Sequence, residues 1–291
     1  MANDDRWGFE DDEPIAPGLY AKGLLGGGHR YEAYLAFSEE LYALVVVKVL
    51  RPGRAHDDDA LAGLAAEAAM LERLAHPVLL RSFGAQLDGE RPHLVLEHLE
   101  GPRLSTLIRR YGPLALEQLA PLAIQICSAL HYLARQGVVH LDVKPSNIIM
   151  GAPPRLIDLS VARTVEEAAY ISAVIGTDAY MAPEQCLAGA GPEIGPAADV
   201  WGIGATLYEA ACGYRPFPDP GCHEDRHPQL RFDPLPMREG LPGALVDIVT
   251  ACLQRDPAAR PTPAEVAEGL ETLIAALPTK PRLGRLKPRL R

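Results

Sequence analysis

The chain has 291 residues, 48% of them hydrophobic, with a formal net charge of −10 and five cysteines. That length accommodates about two domains or lobes with sizeable cores, and the acidic balance argues against general nucleic-acid binding. No run reaches the roughly eighteen apolar residues of a membrane span, because Lys48, Gln125 and His131 interrupt the best candidates. The acidic start MANDDRWGFEDDE does not read as a signal peptide, so a cytoplasmic protein is expected. Cys127, Cys186, Cys212, Cys222 and Cys252 form no metal-like spacing and leave an odd count, as in a reducing compartment.

In chain order, residues 1–18 carry Asp4, Asp5, Glu10, Asp11, Asp12 and Glu13 and are expected to form a solvated, flexible acidic tail. Next comes LLGGGHRYEAYLA, where Leu25, Gly26, Gly27 and Gly28 lead a turn suited to phosphates. A Cβ at a close-approach position there would push the backbone off the phosphate oxygens. Tyr31 stands where the third glycine of such a loop falls. The run ALVVVKVL is a β-rich strand interrupted only by Lys48, a buried cation that needs an anionic partner. Nineteen residues later Glu67 lies in a helical stretch with Leu64, Leu71 and Leu74, on the face of Leu71. HLVLEHLEG, His93 to Gly101, reads as a strand running into an extended linker.

The stretch HLDVKPSN follows, with Asp158 sixteen residues after Asp142. Phosphoryl transfer from a metal-bound nucleotide needs an acceptor for the attacking hydroxyl's hydrogen bond, a cation near the moving phosphoryl and ligands for magnesium. Asp142 suits the first task, Lys144 the second, and Asn147 with Asp158 the third. Strands come first and helices dominate after Leu104, which predicts an α+β fold. The Pro-rich stretch from Tyr214 to Pro242 reads as a loop, and its Cys222, His223 and His227 as loop residues more than metal ligands. The closing TKPRLGRLKPRLR carries six basic residues and no acid. It is expected to be a flexible tail, with docking on an acidic partner or lipid head groups as the sharper alternative.

From about Tyr20 to about Leu277 these segments occur in the order and at the distances of a eukaryotic-like bacterial Ser/Thr protein kinase, which the chain resembles. The resemblance implies a bilobal fold, with a small β-rich N-lobe over 19–97 and a large helical C-lobe over 101–277, which leaves 278–291 as the basic tail. It implies ATP with Mg2+ or Mn2+, protein substrates, and transfer of the γ-phosphate to Ser or Thr hydroxyls. By the same resemblance Lys48 and Glu67 pair over the α- and β-phosphates, and Leu96 is the gatekeeper. The backbone of Glu97 to Leu99 meets adenine, with Ile149 below the ring and Ala33 and Val46 above it. Thr177 in VIGTDAYMAPEQ lies near the catalytic base, Asp199 holds the catalytic loop, and Arg260 partners Glu184.

The departures from the family pattern carry their own expectations. Ala33 and Val46 exchange the family's usual large and small residues, which conserves the volume of the adenine slot. Asp158-Leu159-Ser160 replaces DFG. Leu141 stands where most members have an arginine that gathers a phosphate, so little dependence on activation-loop phosphorylation is expected, with Thr164 and Ser172 as candidate modification sites. Tyr31, Leu141 and Ser160 keep a second function open, a pseudokinase serving as a nucleotide-binding docking module.

Overall fold

The computed structural model describes residues 6–218 and 226–275. The C-terminal basic tail, Cys222 and His223 lie outside the described residues.

The N-terminal part is a six-stranded antiparallel sheet of β1 (Pro14–Ala16), β2 (Leu19–Gly27), β3 (Tyr31–Ser38), β4 (Ala43–Leu50), β5 (Ser82–Gln86) and β6 (His93–Glu97), in the order β1-β2-β3-β4-β6-β5. Strand alternation sorts β4 by face: Val45, Val47 and Val49 are fully buried, while Val46 and Lys48 point to the other side. Helix α1 (Asp58–Arg73) follows β4. Its N-cap Asp57 accepts a hydrogen bond from the Ala60 amide at 3.0 Å, and Ala60, Leu64, Glu67 and Leu71 form its buried face.

Residues 7–16 depart from the solvated tail expected of them. Phe9 and Ile15 bury themselves beside Tyr34, Ala36, Val45 and Val47 on the outer face of the sheet, and β1 pairs with β2. Arg91 fixes this strap by donating to the carbonyls of Pro14 (2.7 Å) and Ile15 (3.2 Å) and by stacking over the rings of Trp7 and Phe9. The acidic composition hid three spaced apolar anchors, Trp7, Phe9 and Ile15, between charged residues that stay in solvent.

The C-terminal part is helical: α2 (Leu104–Tyr111), α3 (Leu116–Arg135), α4 (Val165–Ala169), α5 (Pro183–Cys186), α6 (Ala197–Cys212), α7 (Gly243–Cys252) and α8 (Pro263–Ala275). Two short ribbons accompany them, β7 (Val138–Val139) with β10 (Arg163–Thr164) and β8 (Ile148–Ile149) with β9 (Arg155–Leu156). Helix α6 is buried along almost its whole length, and this is possible because it is nearly devoid of charge. A Cβ on Gly202 would sit 2.9 Å from Val143 Cβ and 3.0 Å from its carbonyl oxygen, so glycine there lets α6 press against the loop between β7 and β8. The expected α+β architecture, a β-rich lobe followed by a helical one, is what the chain adopts.

Candidate active site

The loop from His140 to Asn147 runs between β7 and β8, and α6 holds it from below. Buried Asp199, on the first turn of α6, accepts the backbone N–H groups of His140 (2.7 Å) and Leu141 (2.8 Å). Leu141 takes a left-handed conformation (φ 66°) with its side chain buried in the core. Such a conformation is costly outside glycine, so the surroundings must enforce it, here through a carboxylate gripping two consecutive amides.

That grip presents Asp142 to a compact polar cluster. Lys144 Nζ donates to Asp142 Oδ2 (2.6 Å) and to Thr177 Oγ1 (2.5 Å), while the Thr177 hydroxyl donates to Asp142 Oδ1 (2.7 Å). Asn147 is buried and directs its amide nitrogen to the Asp142 carbonyl and Oδ2, both at 2.9 Å. Four residues separated by up to 35 positions thus meet around one carboxylate.

A second cluster crosses from the sheet to the helical part. Lys48 Nζ lies 2.9 and 2.8 Å from the two oxygens of Glu67 and 3.0 Å from Asp158 Oδ1. Burial disfavours the Lys48 ammonium, but the two carboxylates outweigh it and raise the pKa above the ordinary lysine value. Burial would likewise raise the Asp158 carboxyl, yet Lys48 beside it holds it well below the usual carboxylate range. For Glu67 burial wins and raises the carboxyl against the pull of Lys48. Asp158 itself has a positive φ of 71°, while its neighbour Leu159 is buried in the core.

The remaining candidates line the space between these clusters. Ala33 and Val46 are half-buried on the face of the sheet that carries Lys48, since Ala33 pairs with Lys48 and Val46 with Leu35 and Leu96. Leu96 is buried, and Leu99 and Ile149 are half-buried. Glu97 departs from a purely backbone role. Its N–H donates to the Arg81 carbonyl, and its carboxylate pairs with Arg155 at 2.7 and 2.9 Å, tying the linker to β9. In the glycine hairpin Leu25 is exposed. A Cβ on Gly27 would fall 2.6 Å from the Tyr31 carbonyl, Gly26 has a φ of 151°, and Gly28 opens onto free space.

The donor set fits magnesium with a nucleotide. This cation takes one or two protein oxygens plus phosphates and water, and Asn147 and Asp158 supply that number. Among the described residues no group of three or more His, Cys, Asp or Glu converges as an all-protein metal site.

Several contacts of this region escaped sequence reasoning. Buried Gln185 donates to the carbonyls of Leu141 (2.9 Å) and Ile175 (3.1 Å) and accepts from the Ala182 amide (3.0 Å), so an uncharged side chain sutures the His140–Asn147 loop to the segment before α5. Asp178, next to Thr177, is gripped by Arg226 at 2.8 and 3.1 Å, and Gln229 donates to the Asp178 and Met181 carbonyls. Tyr180 donates to Glu209 of α6 at 2.5 Å. Polar side chains whose partners lie far along the chain leave no trace in sequence periodicity, so none of these pairings had a signal to find.

A family model described as the protein kinase domain matches residues 20–269. The chain is similar to the probable serine/threonine-protein kinase PkwA of Thermomonospora curvata, 34% identical over 271 residues, which cover 89% of this chain and 36% of that protein. It is 33% identical over 240 residues to the serine/threonine-protein kinase PkaA of Streptomyces coelicolor, covering 80% of this chain and 44% of PkaA. PknB of Mycobacterium leprae is 30% identical over 240 residues, 79% of this chain and 38% of its own length. The chain therefore spans less than half the length of these curated relatives.

Proposed function

The chain belongs to the protein kinase family, and from that premise we propose that it transfers the γ-phosphate of ATP to Ser or Thr hydroxyls of protein substrates. The observation that carries this reading is the convergence of Asp142, Lys144, Asn147 and Thr177 in one hydrogen-bonded cluster. When bound, magnesium neutralises charge on the nucleotide's phosphates, and Asn147 and Asp158 are the residues to hold it. The attacking hydroxyl takes the place of the Thr177 hydroxyl at Asp142, which accepts its hydrogen bond and orients it for in-line attack. Lys144, already bonded to that carboxylate, stands ready to stabilise the transferred phosphoryl. Lys48, held by Glu67, positions the α- and β-phosphates. Productive alignment of this kind is where most of the rate enhancement of phosphoryl transfer arises.

The test is transfer of labelled γ-phosphate to a generic Ser/Thr acceptor and to the protein itself, with Asp142→Asn as control. Transfer that the control lacks is the expected result; transfer unaffected by the substitution would refute the role given to Asp142. One observation favours the pseudokinase reading: the Tyr31 ring lies 4.6 Å from Lys48 Nζ, over the cation that has to meet phosphate. ATP binding without any transfer would establish that reading instead.

A further inference from the structure

The hairpin that carries Gly26 to Gly28 is held on both faces by residues outside the glycine pattern. On the outer face the strap is the anchor. The backbone N–H of Trp7 donates to Glu32 Oε2 at 3.1 Å, and its indole N–H donates to the Leu50 carbonyl at 2.7 Å. Glu32 is almost fully buried, also accepts the Tyr34 hydroxyl at 3.1 Å, and has the guanidinium nitrogens of Arg6 and Arg51 at 3.9 and 3.8 Å. Arg51 then spans the hairpin turn, its Nε donating to the Gly28 carbonyl (2.8 Å) and its backbone N–H to the Arg30 carbonyl (3.0 Å). A continuous chain of contacts therefore leads from Trp7 through Glu32 and Arg51 to both sides of the turn.

On the inner face Tyr31 does the fastening. Its ring covers the Lys48 ammonium at 4.6 Å from centroid to Nζ, and its hydroxyl reaches α1 at Gly63, where even a Cβ would approach that oxygen to 3.3 Å. Gly63 thus supplies the space that a tyrosine at this position occupies.

We propose that Trp7, Glu32 and Tyr31 are positioning residues that fasten the glycine hairpin at a fixed height over Lys48, replacing a mobile flap with a preformed clamp for nucleotide phosphates. A third glycine would leave the hairpin free to open and close. Here that freedom is exchanged for contacts to the sheet's outer face, to α1 and to Lys48. The phosphates then enter alongside the tyrosine ring, and less conformational entropy is lost on binding because the hairpin is already ordered.

The inference rests on the nucleotide-binding part of the function proposed above, and two readouts independent of phosphate transfer test it. Amide hydrogen exchange of residues 26–32 is measured without ligand, and the Kd for magnesium ATP is measured by calorimetry. The variants are Trp7→Ala, Glu32→Gln and Tyr31→Leu, with Trp7→Phe and Tyr31→Phe as conservative controls. Each of the first three is expected to speed hairpin exchange and to weaken ATP binding by about fivefold, the effect of losing a hydrogen bond or ring contact, while the phenylalanine variants, which keep the ring but lose its N–H or O–H contact, fall between these and wild type. Glu32→Gln keeps the test decisive if Trp7→Ala lowers the unfolding temperature. Unchanged hairpin exchange in Trp7→Ala and Glu32→Gln would overturn the proposal, as would tighter ATP binding by Tyr31→Leu, which would make the ring a plug. These effects in the variants, beside a wild-type protein that binds ATP but transfers no phosphate, would sink the enzyme reading alone. If ATP does not bind, the exchange experiment still decides whether the hairpin is fastened.

Discussion

Lys48 and Glu67 set the electrostatics of the site, and their consequences reach beyond catalysis. Both are nearly buried, so Lys48→Met leaves a carboxylate without its cation, at a cost of about 3–5 kcal/mol. The sign of the pH dependence follows from Glu67, whose carboxyl is already raised above its ordinary 4.5 by burial and rises further without Lys48. A raised folded-state value means that the folded protein binds the extra proton. The variant therefore retains most of its stability at low pH and loses it as pH rises between the unfolded and folded values. Urea unfolding of wild type and Lys48→Met at about pH 5 and pH 8 is expected to show a larger deficit at the higher pH; an equal deficit would contradict a charged Glu67 as its cause.

Ala33 and Val46 are the other residue-scale pair. They share one face of adjacent strands as diagonal neighbours, the face that carries Lys48 and that the family resemblance gives to adenine. Ala33→Val alone is expected to overpack the slot and weaken ATP binding by about tenfold. Adding Val46→Ala should restore it, and a purely additive double-mutant cycle would rule out the shared slot.

At the scale of the elements, the most enclosed ion pair among the described residues joins α5 to the loop before α8. Arg260 and Glu184 have side-chain exposures of 0% and 1%, and their bidentate contacts measure 2.6 and 2.8 Å. Arg260 also donates to the carbonyls of Ala197, Gln254 and Arg255, and so ties α5, α6 and the α7–α8 connection together. Glu184→Gln or Arg260→Leu is expected to cost about 3–5 kcal/mol, read as a shift in the urea midpoint, because each leaves a buried charge alone. Helix packing also governs the cysteines. Burial pushes the thiols of Cys186 and Cys252 up to about 12 and raises Cys127 and Cys212 as well. Iodoacetamide at about pH 8 is expected to spare these four in the native protein and to modify all of them in denaturant, since only the thiolate reacts.

At the scale of the whole molecule, the two lobes are joined by polar contacts such as Lys48 with Asp158 and Glu97 with Arg155, and the segment after Asp158 is held by contacts within the helical lobe. Leu141 fills its position with a buried aliphatic side chain, and Gln185 joins the catalytic loop to the following segment through neutral hydrogen bonds. Thr164, a candidate for modification, instead caps α4: its hydroxyl accepts the Glu167 amide while Glu167 accepts the Thr164 amide. We propose on this basis that the segment is ordered without phosphorylation of Thr164 and Ser172. Thr164→Ala with Ser172→Ala is expected to keep phosphate transfer within about threefold of wild type while losing about 1 kcal/mol of cap stability. Abolished transfer would overturn this independence.

What the chain's order of residues determined by itself was everything contained in one contiguous stretch. Asp142, Lys144 and Asn147 sit within a single loop, so their spacing alone sets their mutual reach. Alternation in ALVVVKVL and the spacing of Leu64, Glu67 and Leu71 likewise encode which face is buried. Spacing carries no such information where a polar or aromatic side chain finds its partner far along the chain. Lys48 reaches Asp158 across 110 positions, Gln185 reaches Leu141 across 44, and Trp7 reaches Leu50 across 43. Only the folded arrangement turns the acidic start into a strap and Tyr31 into a lid on Lys48. The physical reason is common to all of them. Burying a charge, an amide or an indole is favourable only when its hydrogen-bonding partners are already in place, and the tertiary structure alone puts them there.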